Sequence, residues 1–386
     1  MDLIEFYKVC NLIHPKDLIT ALKDEKRSKK LKRYSLVDDI KPADLYCYLY
    51  AKFGIPNGLQ NFLRGDTSDN LIHWEWVLEL NKKFIFIQGK NLHTEIWFIG
   101  DWDSEKNYLE ELVGIIKNDY ANFGKQMGLI RKELEDWDIF TNTYQSLRSS
   151  IIQLKSDLDK LNLDPLNEML ETPKDLKSLA ENQIKWNEIL DKYNRGIGLS
   201  MSLNIMTPIL AESFVNLIFF VLCRKDIKDN KRLFESFIRS NIDVKIQSLH
   251  IHCYGFKNAV DWSSDECKEY NKIINRRNDL LHGNINIKNL KHSEIFFNGR
   301  IPVFKEYRSI WKYSIGTALN YSRFSELNHD ITVVDSFINY VLSCLEDSLK
   351  DSITQFIDSP DLGHNKKDSR LAVLLPRHLV DDFMPE

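Results

Sequence analysis

Residues 263–284 read SSDECKEYNKIINRRNDLLHGN, and both ends of a helix can be recognised in this stretch. At its amino end, Ser263 and Glu266 have the spacing of a capping box, in which each side chain accepts a hydrogen bond from a free amide of the first turn. At its carboxyl end, Gly283 is the residue type that takes the left-handed conformation terminating helices without strain. The stretch therefore predicts a helix that ends at His282.

The apolar residues of this helix recur every three or four positions and define one face. They are Cys267, Tyr270, Ile273, Ile274, Leu280 and Leu281. At about 100° per residue, Arg277 falls near the middle of this face, whereas Arg276 points elsewhere. Asn278 and His282 lie together on its flank. Because a guanidinium group on an apolar surface is costly without a polar partner, we expect Arg277 to meet a protein carboxylate or a bound phosphate.

Arg277, Asn278 and His282 resemble the R-x4-6-H signature of the HEPN superfamily. These are small helical-bundle proteins, and many are metal-independent ribonucleases of toxin, antiviral and RNA-processing systems. The likeness covers roughly residues 196–357. The segment 211–217, AESFVNL, is similar to the acidic, apolar helix that often precedes the motif. A long insert, residues 285–330, departs from the family pattern.

The resemblance implies an endoribonuclease that uses no metal and no cofactor. The 2′-hydroxyl of the RNA substrate would attack the adjacent phosphorus and leave a 2′,3′-cyclic phosphate and a 5′-hydroxyl. In that mechanism, His282 would transfer a proton and Arg277 would hold the charge that builds on the phosphoryl oxygens. Asn278 would orient the scissile group or His282. The resemblance also implies a homodimer with a shared cleft, and a toxin role would add an antitoxin or another regulatory partner.

Spacing alone does not identify such a site, since Arg323 and His329 show a similar pattern by chance. Two alternatives to an enzyme stay open. One is a non-catalytic HEPN-like module that binds RNA, a nucleotide or a toxin partner. The other is a helical scaffold in which Arg277 only forms a buried ion pair with Glu212. A groove that exposes Arg277 and His282 would favour chemistry, whereas burial of both side chains would favour the scaffold.

The segment 203–223 is apolar and long enough to resemble a membrane span. It contains Glu212, however, and a central acidic residue costs ~2.5–3.5 kcal/mol on membrane insertion. We therefore expect a buried helix of the bundle and no membrane contact. Glu212 then needs a buried partner, and Arg277 is the predicted one.

Composition bounds the location and the binding mode. The six cysteines include no C-x-x-C pair and residues 1–5 do not resemble a signal peptide, which predicts reduced thiols in the cytoplasm. With a formal net charge of −4, RNA binding would need a local basic patch. The spacing of His250, His252, Cys253 and Cys267 matches no zinc pattern, so no metal site is predicted.

The hydrophobic patterns predict a mainly α fold, and together with the resemblance to HEPN proteins they divide the chain into four parts. These are an α+β domain (1–125), a helical hairpin connector (126–195), a HEPN-like helical bundle with a β-hairpin insert (196–357, insert 285–330) and a tail (358–386). Within the α+β domain, the pattern predicts an antiparallel meander over 73–80, 84–87 and 94–99. An intermolecular coiled coil is the alternative to the helical hairpin. One helix over 331–357 is expected to close the bundle, and the tail is either a docking segment or a disordered end.

Two further regions are candidate RNA contacts. The basic run 23–33 is predicted to be helical and either touches RNA phosphates or forms a solvated face. Asn298 and Gly299 predict the two-residue turn of a β-hairpin that follows the motif closely. If this hairpin forms a wall of the cleft, Arg300, Lys305 and Arg308 would face RNA. Exposed solubilising charges are the alternative reading of these three side chains.

Overall fold

The computed structural model describes residues 2–23, 30–59, 72–103, 105–168, 175–285, 287–309 and 311–374. Helices make up about 59% of the described residues, which agrees with the predicted mainly α class. The chain divides into two compact units. An amino-terminal unit consists of residues 1–138, 364–370 and 374–386, and a helical unit consists of residues 139–363 and 371–373.

The amino-terminal unit contains a five-stranded antiparallel sheet of order β1-β3-β4-β5-β2. Its strands are β1 (Asn11–Leu12), β2 (Leu31–Leu36), β3 (Trp74–Leu80), β4 (Lys83–Gly89) and β5 (Thr94–Ile99). Its helices are α1 (Leu3–Val9), α2 (Pro15–Lys23), α3 (Pro42–Phe53) and α4 (Tyr108–Glu133). The predicted meander is confirmed as β3, β4 and β5. The helical prediction for the basic run is wrong at its described end, because Leu31 begins β2 and Arg33 pairs there with Glu95; residues 24–29 of the run lie outside the described residues.

Alternation along these strands directs one set of side chains into a core. Trp76, Ile87 and Ile96 lie opposite one another in the sheet and are buried with residues of α3 and α4. Asn81 and Lys82 connect β3 to β4 with φ of 52° and 65°. Two consecutive residues of positive φ form the tight turn that matches the twist of a hairpin.

The helical unit surrounds the predicted motif helix. Its helices are α5 (Thr143–Lys160), α6 (Leu176–Leu222), α7 (Lys225–Lys228), α8 (Lys231–Arg239), α9 (Ile242–His252), α10 (Asp265–His282), α11 (Ile287–Leu290), α12 (Thr317–Tyr321), α13 (Leu327–Ser343) and α14 (Asp347–Asp358). A hairpin of β7 (Ile295–Asn298) and β8 (Ile301–Phe304) lies between α11 and α12, and a 3-10 turn, Phe324–Glu326, precedes α13. Three short strands, β6 (Trp137–Thr141), β9 (Asp361–Asn365) and β10 (Leu371–Ala372), fall near the points where the chain passes between units.

The motif helix α10 packs between α6 and α13. The rings of Tyr270 and Phe337 are fully buried and stack with centroids 4.3 Å apart at 21°. The Tyr270 hydroxyl donates a hydrogen bond to the carbonyl of Pro208 in α6 at 3.1 Å. These contacts fix the rotation of α10 about its axis, and with it the direction of each motif side chain.

The helical hairpin of α5 and α6 is present, but its pairing and limits differ from the prediction. The sequence predicts the hairpin within residues 126–195, whereas Tyr144 of α5 packs against Phe214 of α6, beyond that range, with ring centroids 5.7 Å apart. The apolar stretch 203–222 offers the larger surface. Since α6 is one helix of 47 residues, the expected boundary at 195/196 falls inside it. The boundary at 125/126 similarly falls inside α4.

The predicted final helix over 331–357 is wrong, because two helices occupy this region. They separate at Cys344–Glu346, where the backbone bonds to a distant loop: Glu346 N–H donates to the Gly255 carbonyl at 2.8 Å, and Lys257 N–H donates to the Cys344 carbonyl at 2.9 Å. In the tail, β9 and β10 are formed, and residues 375–386 lie outside the described part.

Residues 183–222 of α6 are the one described stretch that is long and apolar enough to cross a membrane. Core helices pass the same test of length and composition. In the structure, 56% of the most apolar 18-residue segment of this stretch is buried inside the protein. This burial agrees with the predicted role of a bundle helix.

Candidate active site

The ends of the motif helix lie where the sequence predicts them, with one shift at the cap. Ser264, and not Ser263, is the N-cap, because its Oγ accepts a hydrogen bond from the Cys267 amide at 3.3 Å. The hydroxyl of Ser263 instead donates a hydrogen bond to Oδ1 of Asp261 at 2.7 Å. The predicted capping box is therefore wrong by one residue. Gly283 ends the helix in the left-handed region, at φ 59° and ψ 34°. The carboxyl-terminal prediction is confirmed.

Arg277 faces α6, as its place on the apolar stripe predicts. Its Nη2 lies 3.8 Å from Oε2 of Glu212, and the arginine side chain is 15% exposed. Its Nε is buried and has no hydrogen-bond partner among the described residues. The predicted pair with Glu212 is therefore present at the long end of ion-pair distances, and part of the guanidinium stays unsatisfied.

Glu212 is shared with a second cation that the sequence reasoning missed. Lys245 of α9 is buried, with Nζ 3.7 Å from Glu212 Oε1 and 3.1 Å from Asn216 Oδ1. The sequence does indicate that Lys245 is buried, because it lies one helical turn before Leu249, on the same face of α9. Glu212 thus balances Lys245 as well as Arg277, which leaves less negative charge for the arginine.

Arg276 was expected to point away from the motif face, and it turns toward α13. Its Nη2 lies 2.6 Å from Oδ1 of the buried Asp330, and its Nη1 lies 3.5 Å from Oε2 of Glu326. Consecutive arginines of α10 thus bind two different neighbours. Sequence did not reveal Asp330 as the partner, because the contact spans residues far apart in the chain.

Both arginines line one cavity of about 160 Å³ beside α10. Its lining includes Asn204, Arg276, Arg277, Tyr321, Arg323 and Asp330. Arg323, which sequence reasoning set aside as a chance match, thus belongs to the same site as Arg277. Burial, and then the proximity of Arg276, lowers the pKa of Arg323. His329, its companion in that match, is exposed and does not line this cavity.

Asn278 and His282 lie on the flank of α10, one helical turn apart. Asn278 is half-buried, whereas His282 is exposed. Neither residue lines the cavity that contains Arg277. The site therefore combines a mostly buried guanidinium that borders an open cavity with a histidine at the surface of the same helix end. The sequence analysis distinguishes a groove that exposes both Arg277 and His282 from a scaffold that buries both. The structure shows neither arrangement, because Arg277 is mostly buried and His282 is exposed.

The β-hairpin is present, but its turn is displaced by one residue. Asn298 pairs with Ile301, so the loop residues are Gly299 and Arg300, and Gly299 has φ 62°. Lys305 pairs with Glu294. Hydrogen bonds and charge interactions with Lys291 and Lys305 lower the pKa of Glu294 to about 2.

The basic side chains of this region do not join the motif cavity. Arg308 donates from Nε to Glu306 at 2.7 Å and from Nη1 to the His292 carbonyl. None of Arg300, Lys305 and Arg308 lines the cavity beside Arg277. The structure therefore gives no support to the prediction that these three residues face the same cleft as the motif.

Within the described residues, no group of three or more His, Cys, Asp or Glu side chains is arranged to hold a metal ion. No family model matches the sequence, and neither a curated protein nor a solved structure matches it. The resemblance to HEPN proteins thus rests on Arg277, Asn278 and His282 of α10 and on the segment 211–217, which lies within α6.

Proposed function

We propose that the protein is a metal-independent endoribonuclease of HEPN type, acting in the cytoplasm as a toxin or antiviral effector. One observation carries this proposal. Arg277 borders an open cavity with a buried Nε that has no partner among the described residues, and His282 is exposed at the end of the same helix. Attack of a 2′-hydroxyl on phosphorus needs a cation with an unused donor and a proton carrier, and one helix end supplies both residue types.

In the proposed reaction, the ribose 2′-oxygen forms a bond to phosphorus and the bond from phosphorus to the 5′-oxygen breaks. His282 either removes the proton of the 2′-hydroxyl or gives one to the departing 5′-oxygen. Arg277 stabilises the charge on the non-bridging oxygens, and Asn278 orients the scissile group or His282. Glu212 and Arg276 support the site by holding α10 against α6 and α13.

A second candidate is a non-catalytic module or scaffold. The observation that favours it is the contact between Arg277 and Glu212, since a buried ion pair gives the arginine a structural role without chemistry. An assay of cleavage chemistry separates the two candidates.

Purified protein is expected to cut single-stranded RNA in EDTA and to leave 2′,3′-cyclic phosphate ends. The same protein should not cut DNA or an RNA in which one 2′-deoxy sugar stands at the scissile position, because the nucleophile is then missing. Product ends are identified by mass spectrometry. Cleavage of the deoxy substrate, or strict dependence on a divalent metal, would point to a metal-bound water and contradict the proposal.

The proposal includes a homodimer in which two motif helices face each other across a two-fold axis. Leu281 and Ile285 at the end of α10 are 51% and 85% exposed, and a partner subunit would cover them. We expect light scattering to show a dimer and Asn284→Cys to form a disulfide between subunits, which requires Cα atoms within about 7 Å. Asp351→Cys on α14 is the exposed control that should not crosslink. A monomer that cleaves RNA would exclude the shared cleft but not the roles of Arg277 and His282.

A further inference from the structure

Three arginine side chains meet at the cavity beside α10, and two of them have unused buried donors. The Nε atoms of Arg277 and Arg323 are buried and have no hydrogen-bond partner among the described residues. Protein interiors rarely leave such a donor unsatisfied, because its desolvation costs free energy that nothing recovers. Both arginines line the cavity, so an anion bound there would lie against two guanidinium groups whose donors are not fully used.

The carboxylates around the cavity are engaged with other groups. Asp330 binds Arg276 at 2.6 Å, and Glu326 binds Arg276 and Arg323 through their Nη atoms. Glu212 is shared with Lys245, and Asp279 accepts a hydrogen bond from the Asn284 amide at 2.9 Å. The acidic groups thus bind Nη atoms, and the two Nε donors keep no acceptor among the described residues.

The backbone at Arg323 is held in an unfavourable conformation. Arg323 has φ 50° and ψ 36°, in the left-handed region that a side chain with a Cβ rarely adopts. The preceding residue, Ser322, is buried, and its carbonyl accepts a hydrogen bond from the Asn204 side chain at 2.6 Å. Strain that the surroundings maintain is typical of residues placed for binding.

An aromatic side chain stands at the same cavity. Tyr321 is 51% exposed, and Leu280 and Leu290 also contribute to the lining. Exposed aromatic rings beside arginines are the usual means of holding an unpaired base, which stacks on the ring while its phosphate binds the guanidinium. We infer that this cavity is a nucleotide subsite, in which Arg277 and Arg323 bind a phosphate and Tyr321 stacks the attached base. The subsite rests on the proposed function, because the phosphate that Arg277 and Arg323 bind would be the scissile one.

The test measures binding separately from cleavage. A fluorescent 2′-O-methyl RNA dodecamer, which lacks the nucleophile, is titrated by anisotropy against the full chain at several salt concentrations. Arg323→Gln and Tyr321→Ala are each expected to weaken binding about tenfold, as loss of one charge-assisted contact or one stacked base does. Arg323→Gln should also reduce the salt dependence by about one phosphate contact. Arg239→Gln, an exposed arginine on α8, is the matched control and should bind as the wild type does.

A variant that is expected to bind more tightly separates a specific effect on the site from a loss of folding, because unfolding can only weaken binding. Glu326→Gln removes the carboxylate that competes for Arg276 and Arg323, so it should strengthen binding about threefold, in line with the modest strength of partly exposed ion pairs. Unchanged binding in Arg323→Gln, or weaker binding in Glu326→Gln, would overturn the inference. Failure of the wild type to bind the RNA and AMP would overturn it as well.

A parallel titration with AMP distinguishes the source of the phosphate. Binding of AMP that depends on Arg323 and Tyr321, without binding of the dodecamer, supports the subsite and assigns it to a free nucleotide. Binding that depends on Arg323 in a protein that does not cleave RNA keeps the subsite and rejects the enzyme. If the protein cleaves RNA but its binding does not depend on Arg323, the enzyme proposal is kept and the subsite is rejected.

Discussion

Substitution of His282 by alanine is expected to lower the rate of RNA cleavage by ~10²–10⁴, the usual cost of losing a positioned acid or base. Arg277→Ala is expected to lower it by ~10²–10³, since a preorganised donor at the developing charge is lost. Single-turnover rates on purified protein measure both effects. The fold should persist in Arg277→Ala, because Glu212 keeps Lys245 as a partner at 3.7 Å.

A second histidine provides the matched control. His250 is also exposed and also lies in the last turn of a helix, α9, so His250→Ala should cleave RNA at the wild-type rate. Circular dichroism checks that each variant is folded. If His282→Ala cuts RNA as fast as the wild type, the site assignment is wrong. If all variants and the wild type are inactive, the scaffold reading of Arg277 and Glu212 is favoured.

The largest loss of stability is expected for Phe337→Ala. Phe337 is fully buried and its ring stacks on Tyr270 at 4.3 Å, so the change removes apolar contacts and leaves a cavity between α13 and α10. Truncation of a buried phenylalanine typically costs ~3–5 kcal/mol in the free energy of unfolding. Urea denaturation followed by circular dichroism measures the change.

Phe297 in the β-hairpin is the control for this substitution. Its side chain is 67% exposed, so Phe297→Ala should change the free energy of unfolding by less than ~0.5 kcal/mol. A Phe337→Ala variant as stable as Phe297→Ala would show that the α10–α13 contact does not hold the helical unit together.

The parts of the site that sequence predicted are those determined locally. The carboxyl-terminal end of α10 follows from Gly283, and the direction of Arg277 follows from helical periodicity. The partner Glu212 was found because a carboxylate in an apolar helix needs a cation. Lys245 and Asp330 were missed because their contacts depend on which helices pack together, and no periodicity within one helix gives that information.

For Arg323, sequence reasoning rejected a residue that the structure places in the cavity lining. Spacing to His329 makes Arg323 a chance match in the sequence, and its position in the cavity lining depends on which helices pack against α10. In the sheet, β1 and β2 were missed because the former has two residues and the latter carries charges that resemble a solvated helix. The split between α13 and α14 likewise depends on hydrogen bonds from residues 255–257, far away in sequence.

The continuity of α6 limits the modularity of this protein. Tyr193 lies before the sequence-derived boundary at 195/196, yet its ring packs on Trp311 at 5.0 Å within a small cluster that also buries Ile315 and Leu319. A fragment or a recombinant fusion that begins at residue 196 would start in mid-helix and uncover that cluster. We therefore expect that the motif is not a self-contained cassette when the chain is cut at this boundary, even where every motif residue is retained.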